Sequence, residues 1–201
     1  MGLLIRKLTP AIGAELEGID LSRVSDEQLV QIRQALLDNL VVFFRNQELT
    51  PEQQKVLALH FGKLHIHPAP LGLVEGHPEV LAIQADEKST RVAGEEWHSD
   101  VSCDVEPPMG TILYIKVVPT TGGDTLFASM YAAFDALSDP MRRFLDGLTA
   151  SRDGTRNYQG RRPAPGRGEA FPHAEHPVIR THPETGRKGV YVNRMFTTRI
   201  V

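Results

Sequence analysis

Residues 97–101 read Trp97-His98-Ser99-Asp100-Val101. On an extended strand, side chains two positions apart point to the same side, so His98 and Asp100 are expected to present an imidazole and a carboxylate together. Two histidines and one carboxylate on one face of a metal ion are a ligand set typical of non-haem iron. The pair therefore predicts the start of an iron site. A His-x-Asp sequence is also common by chance, and a hydrogen-bonded surface pair is the alternative.

The N-terminal third of the chain carries the signals of a small α/β unit. A capping box at Ser25 starts a helix that is expected to end near Asn39. Residues 41–44 form a short apolar run typical of a buried strand. Thr50 is the expected cap of a second helix, with Pro51 at its first position.

Beyond this unit, β-type sequence dominates. Three runs bounded by glycine, proline or charged residues are predicted strands: residues 80–83, 111–118 and 189–193. Two helical segments, 129–137 and 140–148, interrupt them, and Asp139 is the expected cap of the second. The pattern predicts an α+β fold in which strands wrap around a core and helices attach to one side.

Composition and charge exclude several classes of function. The chain has 201 residues, 22 basic against 25 acidic side chains and a formal net charge of −3, so a nucleic-acid partner is not expected. The sequence has no apolar run long enough to span a membrane, and its N-terminus is unlike a secretion signal. A single cysteine, Cys103, is typical of a reducing compartment. We therefore expect a cytoplasmic protein.

Further segments, spread over most of the chain, match the motifs of one known protein family in their order and spacing. They are Ile12-Gly13-Ala14 with Gly18-Ile19-Asp20, Val41-Val42-Phe43-Phe44-Arg45, Phe61-Gly62-Lys63-Leu64-His65-Ile66-His67-Pro68, Pro107-Pro108, Gly122-Gly123-Asp124-Thr125-Leu126, His176-Pro177-Val178, Thr181-His182-Pro183, and Val192-Asn193 with Phe196-Thr197-Thr198-Arg199-Ile200. Together with residues 97–101, they resemble the taurine dioxygenase family of iron(II)- and 2-oxoglutarate-dependent oxygenases.

This resemblance implies a fold and an activity. The expected fold is a double-stranded β-helix, or jelly roll, with flanking helices, in a single domain over residues 1–201. The expected enzyme uses Fe(II), 2-oxoglutarate and O2 to hydroxylate a small organic anion, such as a sulfonate or an alkyl sulfate ester, and releases succinate and CO2. Family members often self-associate, so a homo-oligomer is also expected.

The resemblance assigns roles to individual residues. His98 and Asp100 match the first two iron ligands and the catalytic centre, and Thr125 matches a residue that binds 2-oxoglutarate. His67 matches a histidine that contacts the anionic group of the substrate. The remaining positions that match the substrate pocket are Val101, Tyr158 and Phe196. The alternatives are a turn residue for Thr125, a packed histidine for His67, and core packing for the other three.

Two positions depart from the family pattern at the substrate end. Gly94 stands where the family has an asparagine that contacts taurine, and Pro70 stands where it has a tyrosine. Both changes remove polar side chains, and a site built on hydrogen bonds discriminates through them. Taurine itself is therefore not the expected substrate; an alkyl sulfate ester, another sulfonate, or a different small carboxylate or organic anion is.

The resemblance also places two functional residues beyond the end of this sequence. The third iron ligand, a histidine, and the arginine that pairs with 2-oxoglutarate follow the segment that ends at Ile200, whereas the sequence ends at Val201. We expect the C-terminal strands of the jelly roll to be missing as well. The alternatives are an incomplete fragment that binds metal weakly or not at all, and a jelly-roll zinc protein.

Overall fold

The computed structural model describes residues 3–67, 72–90, 92–158 and 170–201. Its helices and strands, in chain order, are β1 (Leu4–Lys7), β2 (Ala14–Glu17), a 3₁₀ turn (Leu21–Arg23), α1 (Asp26–Asn39), β3 (Val42–Phe43), α2 (Pro51–Leu59), β4 (Leu73–Val74), β5 (His77–Leu81), α3 (Met130–Asp135), α4 (Asp139–Leu145), β6 (Thr149–Asp153), α5 (Thr155–Tyr158), β7 (His173–Pro177), β8 (Ile179–Thr181), β9 (Lys188–Val190) and β10 (Thr197–Ile200).

Local capping interactions begin the helices, as the sequence predicts. Ser25 Oγ accepts from the Gln28 amide, while Gln28 Oε1 accepts from the Ser25 amide, and this closes the capping box of α1. Thr50 forms the same box at α2, with Pro51 at the first helical position. The cap predicted for α4 was wrong: Ser138, not Asp139, accepts the hydrogen bond from the backbone. No helix in the described part of the chain is long and apolar enough to cross a membrane.

The N-terminal sheet has the order β1-β2-β3, with β2 antiparallel to β1 and parallel to β3. Ala14 and Leu16 on β2 are buried at 0% and 2% exposure, and they form a core with residues of α1 and α2. Glu15, between them, is also buried, and its carboxylate accepts from Arg6 at 2.8 Å. The sheet is therefore covered by helices on one side and stabilised by an ion pair on the other.

A second sheet has the order β10-β6-β7, and both pairings are antiparallel. Its central strand β6 buries Ala150, Ser151 and Arg152. Arg152 is entirely buried, with its guanidinium 4.0 Å from the centre of the Tyr191 ring, and its nitrogens have no hydrogen-bond partner among the described residues. This loss of hydration lowers the pKa of Arg152, while the cation–π contact offsets part of its cost.

One predicted strand, residues 111–118, is not a strand in the structure. Partly buried and exposed side chains do alternate along this segment, as in a strand. Ile112 and Tyr114 pack against the N-terminal core. The residues between and after them, Leu113, Ile115 and Val117, are 59%, 61% and 87% exposed. A strand also needs a hydrogen-bonded neighbour, and no strand among the described residues pairs with this segment. The other two predicted strands are present with shifted ends, as β5 and β9.

The N-terminal core generates a stability prediction. Leu16→Ala removes a side chain that is 2% exposed, and we expect it to lower the free energy of unfolding by about 2–5 kcal/mol. Leu4→Ala on the neighbouring strand is the matched control, because Leu4 is 59% exposed, and its effect should stay within about 0.5 kcal/mol. Urea denaturation followed by circular dichroism measures both. Equal effects of the two substitutions would contradict this placement of the core.

Candidate active site

His98 and Asp100 lie together, although not on a strand as predicted. Residues 97–99 are irregular, and a turn begins at Asp100. His98 Nε2 is nevertheless 3.0 Å from Asp100 Oδ1. The prediction of an extended strand was therefore wrong, whereas the predicted contact is present, because a turn folds the carboxylate back onto the imidazole.

The hydrogen bonds of His98 favour its protonated form. Its Nδ1 lies 2.6 Å from the carbonyl oxygen of Glu96, and a carbonyl can only accept, so Nδ1 carries a proton. An ionised carboxylate also only accepts, so the bond to Asp100 needs a proton on Nε2. Both bonds together therefore favour the imidazolium, and the bond to Asp100 is the main reason why the pKa of His98 is raised.

Asp100 is held by two side chains. Its Oδ1 faces His98, and its Oδ2 accepts from the Thr111 hydroxyl at 2.6 Å. These interactions, the first of them stronger, lower the pKa of Asp100 and keep it ionised. Sequence reasoning missed Thr111, since its contact with a residue 11 positions earlier depends on how the chain folds back.

A wall of aromatic rings stands beside this pair. The His67 and Tyr158 ring centres are 5.5 Å apart, and the Tyr158 and Phe196 centres are 6.0 Å apart, both in edge-to-face arrangements. His67 is close enough to Asp100 to contribute to the lowering of its pKa. The structure thus brings together three of the predicted substrate residues beside the predicted metal ligands.

Val101 and Cys103 lie in the turn that follows Asp100. Val101 is 5% exposed and has a φ of +40°, a left-handed conformation that is strained for a β-branched residue. The Cys103 thiol donates to the Tyr158 hydroxyl at 3.8 Å. Burial raises the pKa of Cys103 to about 11 and also raises the pKa of Tyr158, so both groups stay neutral at ordinary pH.

The structure does not connect Thr125 to this site. It lies within residues 115–128, which are exposed throughout, and no hydrogen bond in the described part of the chain joins it to His98 or Asp100. Phe127, two positions later, packs edge-on against Phe43 at 6.0 Å. The role of Thr125 in binding 2-oxoglutarate stays a prediction.

Gly94 closely approaches the imidazole. Its φ is +84°, and a Cβ atom at this position would lie 3.3 Å from His98 Cε1. A side chain here would therefore be strained and would press on the ring, so glycine keeps this side of His98 open. Pro70, the second departure from the family pattern, lies outside the described residues.

Comparisons with known proteins agree on one family. The profile described as "Taurine catabolism dioxygenase TauD, TfdA family" matches residues 4–201. The alpha-ketoglutarate-dependent sulfonate dioxygenase of Saccharomyces cerevisiae is 36% identical over 213 residues, which cover 99% of this chain and 51% of that protein. The alkylsulfatase of Acinetobacter baylyi is 34% identical, over 96% of this chain and 64% of that protein.

A solved structure shares the fold. The crystal structure of a taurine dioxygenase from Burkholderia xenovorans superposes with a TM-score of 0.82 at 37% identity, and the match covers 99% of this chain and 66% of that one. This likeness confirms the predicted jelly-roll fold class. The chain spans about half the length of the sulfonate dioxygenase relatives that it matches.

The His98–Asp100 contact generates a prediction about proton binding. Asp100→Asn keeps the size of the side chain and removes its charge, so we expect the pKa of His98 to fall toward its ordinary value. Imidazole chemical shifts followed by NMR across a pH titration measure it. The matched control is Asp104→Asn, because the Asp104 carboxylate faces His65 at 2.7 Å instead. An unchanged His98 pKa in the Asp100 variant would contradict the contact.

Proposed function

This chain belongs to the taurine catabolism dioxygenase TauD, TfdA family, and from this premise we propose that it is the Fe(II)- and 2-oxoglutarate-dependent catalytic region of a dioxygenase. The observation that carries the proposal is the 3.0 Å contact between His98 Nε2 and Asp100 Oδ1, beside a wall of aromatic rings. The proposed reaction is hydroxylation of a small organic anion, with release of succinate and CO2.

The geometry of the pair suits a metal ion. Two ligand atoms that bind one ion at about 2.1 Å and at right angles are about 3.0 Å apart, which is the separation of His98 Nε2 and Asp100 Oδ1. An imidazole nitrogen and a carboxylate oxygen also belong to the donor set that suits non-haem Fe(II). The residues therefore fit the proposed metal.

The neighbouring groups hold these two ligands in place. The Glu96 carbonyl accepts from Nδ1 of His98 and so leaves Nε2 for the metal, while the Thr111 hydroxyl fixes the second oxygen of Asp100. Such partners commonly orient metal ligands. Fe(II) and 2-oxoglutarate, when bound, would supply the oxidative chemistry, and the chain would orient the target carbon and exclude competing reactions.

We assign the substrate side to the aromatic wall. His67 would contact the anionic group, and Tyr158, Phe196 and Val101 would shape the space around the target carbon. A sulfonate or an alkyl sulfate ester is the proposed substrate class; relatives are named as dioxygenases for sulfonates and for sulfate esters. The glycine at position 94 favours a substrate other than taurine, and Thr125 is the proposed contact for a 2-oxoglutarate carboxylate.

The second candidate function is a chain that has only an incomplete metal site. No group of three histidine, cysteine, aspartate or glutamate side chains in the described part of the chain could hold one ion. Two protein ligands alone would bind metal less tightly than three. The alternative is therefore that this chain by itself binds Fe(II) weakly or not at all, and the metal titration below distinguishes the two.

The organisation of the protein completes the proposal. We assign residues 1–201 to a single dioxygenase domain that self-associates and works in the cytoplasm. The reasons are the family resemblance along the whole chain and the single cysteine. The two sheets and the turn that carries Asp100 would then form one structural unit.

The proposed metal site predicts metal binding that depends on pH. Metal must displace the proton on His98 Nε2, and the raised pKa of His98 extends this competition to higher pH, so Fe(II) affinity should increase from about pH 6 to about pH 8. Anaerobic calorimetric titration measures it. His98→Ala should weaken binding at least about tenfold, whereas His60→Ala, at the exposed end of α2, should not.

The proposed reaction predicts turnover that depends on the substrate. With Fe(II), 2-oxoglutarate and O2, succinate release should increase when a sulfonate or a sulfate ester is added, and Asp100→Ala should abolish the increase. A panel of sulfonates, alkyl sulfates and aryloxy acids identifies the class. Tight metal binding without stimulation by any of them would refute the substrate class but not the metal site. Absence of metal binding would favour the incomplete-site alternative.

A further inference from the structure

A second contact between a histidine and a carboxylate lies at the far end of the turn that begins at Asp100. His65 Nε2 is 2.7 Å from Asp104 Oδ2, and the two side chains are only 27% and 20% exposed. An ionised carboxylate can only accept, so His65 Nε2 donates this hydrogen bond. Neither residue is a proposed ligand of the metal or a proposed contact of the substrate, so the proposed reaction gives this contact no task.

The contact joins the segment that carries the proposed anion contact to the turn that carries a metal ligand. His65 lies two positions before His67, and Asp104 lies four positions after Asp100. At the other end of the same two segments, His67 is close enough to Asp100 to help lower its pKa. Ile66 is 61% exposed, whereas the histidine rings on either side of it lie 6.4 Å apart on the less exposed side. The two segments therefore lie side by side, with the hydrogen bond at one end and the active site at the other.

The main chain of Asp104 is held on both sides. Its amide donates to the Val101 carbonyl at 2.9 Å, which closes the turn. Its carbonyl accepts from His176 Nε2 at 2.8 Å. His176 is a buried residue of β7, and β7 pairs with β6 over all five of its residues. The sheet thus fixes Asp104, and its carboxylate offers His65 an acceptor in a fixed place.

This hydrogen bond restricts the neighbouring segment more sharply than ring packing does. His67 meets the Tyr158 ring edge-on, with 5.5 Å between the ring centres. Edge-to-face pairs occur at separations of about 4.5–7 Å, so such a contact tolerates sliding. The bond between His65 and Asp104, in contrast, prefers a narrow range of distance and angle. It therefore limits how far the segment of His67 can move relative to the turn.

We propose that Asp104 and His65 are positioning residues for substrate recognition: Asp104 holds His65, and His65 holds the neighbouring His67 where the anionic group of a sulfonate or sulfate ester binds beside the metal ligands. This inference rests on the proposed function, since it takes His67 as the anion contact. The pair acts on the affinity for the substrate. The metal ligands, which are oriented by Glu96 and Thr111, do not depend on it.

Binding of an alkyl sulfate tests the proposal directly. The chain is titrated with hexyl sulfate by calorimetry, with Fe(II) and 2-oxoglutarate present and O2 excluded, so that nothing turns over. Asp104→Ala and His65→Ala should each weaken the binding of hexyl sulfate about tenfold, as expected for the loss of one hydrogen bond to a charged group, and leave the affinity for Fe(II) unchanged. Glu106→Ala is the matched control, because it removes an exposed carboxylate two positions later in the same loop; it should change neither affinity.

Double variants distinguish positioning from general destabilisation. Asp104→Ala should cause no further loss of hexyl sulfate affinity when it is added to His65→Ala or to His67→Ala, because it acts through these two residues. Asp104→Asn keeps an acceptor oxygen at the same place, so it should recover most of the affinity that Asp104→Ala loses. Urea denaturation shows whether each variant is folded. If Asp104→Ala does not fold, His65→Ala alone and combined with His67→Ala gives the same test.

Two results would overturn the proposal. These are an unchanged affinity for hexyl sulfate in the variants of both residues, and losses that multiply when either variant is combined with His67→Ala. If the wild type binds Fe(II) and hexyl sulfate, and only His67→Ala weakens the sulfate, the positioning inference fails and the proposed function stands. If the wild type binds no hexyl sulfate, the proposed substrate class fails, and the inference fails with it.

Discussion

The contact between His98 and Asp100 is the interaction on which the functional reading of this molecule depends. Two bonds to acceptors, one to the Glu96 carbonyl and one to Asp100, orient the imidazole and favour its charged form. The carboxylate in turn is fixed by Thr111. Because His98 and Asp100 each have a second partner besides one another, both side chains are held in one orientation, and the two candidate ligands are arranged in advance for the proposed metal.

The surrounding packing explains why the site lies where it does. Strand β6 is the centre of its sheet, and it leads directly into α5, where Tyr158 is buried between His67 and Phe196. The space for the α5 backbone is tight: a Cβ atom on Gly154 would lie 2.7 Å from the Tyr158 ring. Packing in this sheet thus positions the aromatic wall.

Local signals in the sequence predict the helices well. The capping boxes at Ser25 and Thr50 form as expected, because a cap depends on residues three positions apart. The cap of α4 was misplaced by one residue, since serine and aspartate at positions 138 and 139 carry similar capping signals. The strand predicted at 111–118 has the right alternation but no partner strand in the described part of the chain, and pairing is a property of two segments.

The sequence by itself therefore determined the family, the starts of α1 and α2 and the proximity of an imidazole to a carboxylate, because each depends on residue identity or short spacing. Tertiary structure decided the rest. Thr111 reaches Asp100 from 11 positions away, and Asn193 reaches Ser102 from 91 positions away. Such contacts arise only when the chain folds back on itself, since no local pattern specifies which distant residues will meet.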